Sequence, residues 1–109
     1  MKIVVLSGGL SPERNVALCS GSKITQALRD LGHEVALIDV FFGLEDYPGL
    51  EGEALYAAPI PERWKTVDPQ APDLTAVKAA RKDKSPSQFG PGVLELCRGA
   101  DVVVLALHG

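Results

Sequence analysis

Three stretches of the chain are apolar almost without interruption: "KIVVL" (2–6), "EVALIDV" (34–40) and "DVVVLALHG" (101–109). None of them alternates polar and apolar side chains, as a strand with one wet face does. Short, β-branched runs of this kind predict strands covered on both faces, as in a parallel sheet between layers of helix. Between the first two runs the period changes. Val16, Ser20, Ile24, Ala27, Leu28 and Leu31 recur at three- and four-residue steps and predict a helix with that stripe turned to the sheet. Ser11 suits its N-cap and Pro12 its first helical position. Gly32 can take the left-handed conformation that ends a helix. Gly21, in mid-helix, costs roughly 1 kcal/mol against alanine and marks close packing. Strand, helix and strand make a right-handed βαβ unit. A shorter helix, from Pro91 to about Arg98 and stopped by Gly99, supplies a second crossover into the third strand.

Residues 41–90 follow neither period. Seven of the eight prolines fall between Pro48 and Pro91, and all the aromatics (Phe41, Phe42, Tyr47, Tyr56, Trp64 and Phe89) lie in this segment. A structureless connection of this length is unusual inside a compact domain, and its aromatics imply that it folds over something. One short helix is predicted near "DLTAVKAARK", capped by Asp73, and Lys78, Arg81, Lys82, Asp83 and Lys84 read as a solvated charged face. The expected fold is α/β: a small Rossmann-like parallel sheet flanked by helices. Residues 1–40 and 91–109 form its core, and 41–90 are an irregular insertion rich in proline and aromatics. At 109 residues there is material for one domain.

Composition narrows the possible partners. The net charge of −3 gives no basic surface for nucleic acid or an anionic membrane. No apolar run reaches the roughly 20 residues of a membrane span. The opening "MKIVVLSGG" lacks the pattern of a signal peptide. Cys19 and Cys97 have no metal-ligand spacing and read as reduced thiols of a cytoplasmic protein. The last strand run stops at its carboxyl lip, on "HG", which reads as a piece of a longer protein.

Ligands of open parallel sheets bind beyond the carboxyl ends of the strands. The first strand ends there in "SGGLSPE", which brings Gly8, Gly9, Leu10, Ser11 and Glu13 to that edge, and the third brings His108 and Gly109. The turn lacks the G-x-G-x-x-G spacing of a dinucleotide site, and "CSGSKIT" is not a P-loop. Asp39, at the end of the second strand, imitates a ribose-binding acid, but without the glycine fingerprint it signifies little. A receiver-type phosphorylation site would need acids where Ser7, Gly8 and Gly9 stand.

Glu13 is the unusual feature. A helix N-terminus favours anions, and a phosphate site would leave that turn free of acids. Two readings remain: Glu13 complements the helix dipole, or its ionised carboxylate awaits a cation such as a substrate ammonium. His108 is likewise either an ordinary surface histidine or a donor to a carboxylate or developing oxyanion. His33, just past the helix end, reads as a surface residue.

"VVLSGGLSPERNVALCSG", followed by "ALRDLGHEVALIDV" and closing with "DVVVLALHG", resembles the N-terminal domain of D-alanine–D-alanine ligases and their ATP-grasp relatives. The first stretch is similar to that family's GG-x-S-x-E-R turn and the last to its LHG strand end. The resemblance covers about residues 2–40 and 93–109.

The resemblance implies an ATP-dependent joining of two D-amino acids through an acyl phosphate, for peptidoglycan precursor synthesis and cell wall biogenesis. It places Glu13 on the ammonium of the first D-amino acid, His108 near its carboxylate and acyl phosphate, and Gly9 in the substrate-binding turn. ATP and Mg2+ would be bound by downstream domains, so that this segment alone is expected to be inactive, and a homodimer is the family's habit. Asn15 and Ala17 depart from the acid and serine common in relatives, which keeps open another ATP-grasp carboxylate–amine ligase. A non-catalytic α/β binding module is a further alternative. The second substrate (D-alanine, D-serine or D-lactate) is not specified.

Overall fold

All three apolar runs form strands: β1 (Lys2–Ser7), β2 (Glu34–Asp39) and β3 (Val102–Leu105). They are parallel, in the order β2-β1-β3, with Val4 beside Ala36 on one side and Val103 on the other. The structure is a computed structural model and describes residues 1–107 apart from Glu51, Asp68, Pro69 and Pro86. Among the described residues there are three α-helices, α1 (Arg14–Asp30), α2 (Leu74–Ala80) and α3 (Val93–Arg98). The result is the expected Rossmann-like α/β arrangement. The chain steps one way across the sheet from β1 to β2 and the other way to β3, so right-handed crossovers put α1 and α3 on opposite faces.

Burial on both faces holds for β1 and β2, where Val4, Val5, Val35 and Ala36 are inaccessible. It does not hold for β3. Val102, Val103 and Leu105 are exposed, Leu105 at 68%. Both β2 and β3 are edges of the sheet, but α1 and the turns at Gly43–Asp46 and Gly52–Ala57 pack on β2, whereas β3 packs chiefly against β1 among the described residues. Among the described residues it spans four positions, inside the predicted 101–109.

The helix α1 also corrects the sequence reading, in phase and in start. Val16, Ile24 and Leu31, predicted to face the sheet, are exposed, Leu31 at 75%. The buried stripe is instead Arg14, Ala17, Leu18, Gly21, Ser22 and Thr25. Small residues occupy it because the helix approaches closely: a Cβ on Gly21 would lie 3.0 Å from both Leu37 and Ser7. Regular helix begins at Arg14, not Pro12. The Ser11 hydroxyl accepts from the Glu13 N–H at 3.2 Å and the Ser11 carbonyl from the Arg14 N–H at 3.1 Å, which closes one preliminary turn. At the far end Gly32 has φ +93°, its N–H donates to Arg29 O and that of His33 to Leu28 O, a Schellman stop.

Residues 41–90 leave and rejoin the core at one neck. The Gly90 N–H donates to Val40 O at 2.7 Å and that of Leu44 to Pro91 O at 2.9 Å. A Cβ on Gly90 would fall 2.4 Å from Phe41 O, so only glycine permits this approach. Beyond the neck the segment forms short 3-10 turns at Gly43–Asp46, Gly52–Ala57 and Glu62–Trp64, then α2, which Asp73 caps through the N–H groups of Thr75 and Ala76. Tyr47, Leu55, Tyr56, Ile60 and Trp64 join the sheet's core.

Two arginines tie this segment down through carbonyls. Arg29 donates to Val35 O, Tyr56 O and Ala58 O. Arg81, expected on a solvated face, is 4% exposed and donates to the carbonyls of Phe41, Asp83, Ser85 and Ser87 while stacking on the Phe41 ring. A guanidinium has enough donors in a fixed fork to close such a loop, so its charge is no guide to exposure here.

Candidate functional site

The chain leaves β1 through Ser7, whose buried hydroxyl donates to Ala106 O at 3.0 Å. The N–H of Ala106 returns a bond to Leu6 O at 2.8 Å, so the residues just past β3 lie beside the end of β1. Next come Gly8 and Gly9, at φ +67° and +83°, both in the region that suits glycine. At Gly8 space is closed as well, since a Cβ there would fall 2.7 Å from Asp39 Oδ1.

This turn is held by two residues of neighbouring elements. Asp39, at the carboxyl end of β2 and 1% exposed, accepts from the N–H groups of Gly9 (3.1 Å) and Phe41 (2.9 Å). Its second oxygen accepts from Nη2 of Arg14, the first residue of α1, in a buried ion pair. Arg14 Nε donates to Gly9 O at 3.1 Å, and the guanidinium lies over the Phe42 ring. The two peptide groups flanking the Gly9 Cα are therefore both held, the first through the Gly9 N–H by Asp39 and the second through the Gly9 carbonyl by Arg14.

Of the predicted site residues, Gly9 lies in this turn, partly buried. Glu13 stands at the cap of α1, exposed, and its carboxylate makes no capping bond and no ion pair among the described residues. Among the described residues nothing blocks it from meeting a cation. His108 and Gly109 lie outside the described residues. Ala17 is fully buried, so the departure from serine there falls on the sheet-facing side of α1, whereas Asn15 is half-buried at the lip.

Arg14 and Asp39 are the site-forming residues that sequence reasoning missed. Asp39 drew notice only as a ribose-binding acid, and the structure assigns it to the glycine turn. The available signal was Asp39 closing the apolar run of β2, where an unpaired charge would not be buried, and Arg14 standing next to Glu13 in the same turn motif. A second acid is close by. Burial, and then the negative Asp39, push the Asp46 carboxyl up to about 6, against a partial correction from Arg63, which donates to it at 2.9 Å.

Among the described residues no group of three or more His, Cys, Asp or Glu side chains could hold a metal ion. The glycine turn has its own acid instead of phosphate-binding spacing. These residues therefore do not fit ATP–Mg2+. A cleft of about 530 Å³ bordered by Lys2, Leu55, Tyr56 and Leu96 lies toward the amino end of β1, away from this turn. No helix among the described residues is long and apolar enough to cross a membrane.

No protein-family model matches the chain. Among curated proteins, the D-alanine–D-alanine ligase of Lacticaseibacillus casei is 40% identical over 109 residues, all of this chain and 30% of the relative. That of Pediococcus pentosaceus is 40% identical over 109 residues, covering 31% of its length. The chain is related over its whole length to the D-alanine–D-alanine ligase family, in that family's N-terminal part. The ligase of Gloeobacter violaceus is 56% identical over 39 residues, or 36% of this chain. The chain thus spans about a third of the length of the curated relatives it matches over its full extent.

Proposed function

We propose that this chain is the substrate-binding N-terminal part of an ATP-dependent D-alanine–D-alanine ligase that joins two D-amino acids for peptidoglycan precursor synthesis. The observation that carries the reading is Glu13: an exposed carboxylate without an ion pair among the described residues, at the carboxyl edge of a parallel sheet, four residues after a positive-φ glycine turn. A carboxylate so placed is suited to an ammonium group. Holding the first D-amino acid by its ammonium would turn its carboxylate outward, toward the rest of the ligase, a positioning effect worth several-fold to many-fold in rate. Within the proposal, His108 serves the carboxylate and acyl-phosphate side of the same substrate. ATP and Mg2+ are bound by other parts of the ligase, and the working protein is a cytoplasmic homodimer.

The test is a ligase polypeptide containing this chain, assayed for ADP and phosphate release with D-alanine. Glu13→Ala is expected to raise the KM for the first D-amino acid by about a hundredfold, as removal of a charge-assisted contact in a positioned site does. Unchanged kinetics in Glu13→Ala would remove the role given to that residue.

A further inference from the structure

We propose that Arg14 and Asp39 are positioning residues for the amino-acid site: as a neutral, buried clamp on the backbone of Gly9, they fix the turn and the Glu13 carboxylate beside it. The inference rests on the reading of Glu13 given above and extends it to residues that need not touch the substrate.

A positive-φ turn of two glycines is intrinsically mobile, because glycine loses more conformational freedom on ordering than any other residue. Something must hold it if the residues after it are to keep one place. Both backbone polar groups of Gly9 find partners here, its N–H at Asp39 Oδ1 and its carbonyl at Arg14 Nε. Asp39 packs so closely on the turn that Gly8 could not carry a Cβ. Arg14 directly follows Glu13 in sequence, and its backbone N–H closes the Ser11 turn. One guanidinium therefore ties the glycine turn, the end of β2 and the residue adjoining Glu13 into a single unit.

Stability alone gives weak grounds for such a pair. A buried ion pair gains little over well-packed apolar residues of similar volume, because desolvation of both charges offsets their attraction. Its geometry achieves what an apolar pair could not, since only polar groups can bond the N–H and the carbonyl of Gly9.

Charge gives the second argument. Asp39 is compensated by Arg14, which leaves the exposed Glu13, among the described residues, as the acid at the head of α1 without an ion pair. An arriving ammonium meets one carboxylate in one place. Loss of Arg14 would expose a second, competing negative charge at Asp39, with Asp46 close enough to add to it.

The test uses the same ligase polypeptide and measures the KM for D-alanine, the KM for ATP and thermal unfolding for Arg14→Lys, Asp39→Asn and Asp39→Ala. Arg14→Lys keeps the charge beside Asp39 but lacks the fork that reaches Gly9 O. Asp39→Asn keeps an acceptor for the two N–H groups. Each variant is expected to raise the KM for D-alanine by about tenfold or more through misplacement of the turn, with the KM for ATP unchanged. Asp39→Asn should retain more of the function than Asp39→Ala.

A fall in unfolding temperature with no selective change in the KM for D-alanine would show a purely structural pair and overturn the inference. Should Asp39→Ala not fold, Arg14→Lys and Asp39→Asn still decide the question. A kinetic defect in Glu13→Ala without one in the clamp variants removes the inference alone. Unchanged kinetics in Glu13→Ala removes the reading on which it rests.

Discussion

The β1–α1–β2 unit and the 41–90 segment lie against each other and are held by different physics. The unit closes by contact: Gly21 lets α1 approach to where a methyl would meet Leu37 and Ser7, and Val4, Val5, Val35 and Ala36 are sealed beneath. The 41–90 segment has little repeating structure of its own. It is held by a neck at Gly43 and Gly90, by buried aromatics, and by Arg29 and Arg81 reaching backbone carbonyls. Packing of the first kind is distributed and global, whereas fastening of the second kind is concentrated in a few donors. The difference predicts how each region fails.

The largest effect is expected in the unit. Gly21→Val forces β-branched bulk into a contact already at 3.0 Å and should cost about 2–3 kcal/mol of global stability, read as a lower urea midpoint with an unchanged slope. If the midpoint does not move, α1 and the sheet are not closely packed and the contrast collapses.

Arg81→Met should remove about 1–3 kcal/mol by leaving carbonyls without their donor, but locally. Limited proteolysis within 82–90 should accelerate while the global urea midpoint shifts far less than in Gly21→Val. Equal shifts in both measurements would mean that the two regions unfold as one and that the distinction is not real.

The smallest effect is a pH dependence at the junction between the regions. The Asp46 carboxyl titrates near about 6 in the folded chain against 3.8 for the free group, so the folded state binds its proton more tightly. Between those values the unfolded state holds fewer protons, and stability falls as pH rises from about 4 to 6, by about 1 kcal/mol after allowance for the solvent near this group. Asp46→Asn should flatten that part of the stability profile. Retention of the slope in the variant would assign it to another group.

Legibility in the sequence divided along the same line. The strands, the Gly32 stop, the Asp73 cap and the special role of Gly21 could be read, because each is a local requirement of backbone or burial. The phase of α1 could not. Hydropathy favoured Val16, Ile24 and Leu31, yet the face that packs joins Leu18 to Ala17, Gly21, Ser22 and Thr25, whose value is their small size. Arg81 was misread for a related reason: a sequence displays a charge but not the carbonyls that will surround it. At the site, Gly9 and Glu13 were visible as a motif, whereas the Arg14–Asp39 clamp joins residues on separate elements and emerged only when the parallel register brought β2 beside the glycine turn.

By itself, then, the sequence determined the parallel α/β class, the glycine turn at the strand edge and the kinship with D-alanine–D-alanine ligases, all of which depend on local pattern or on residue identity. Tertiary structure decided which face of α1 is buried, that β3 is a bare edge, and that Asp39 serves the turn. Those outcomes depend on distances between elements, and a hydrophobic pattern carries no information about how closely two backbones can approach.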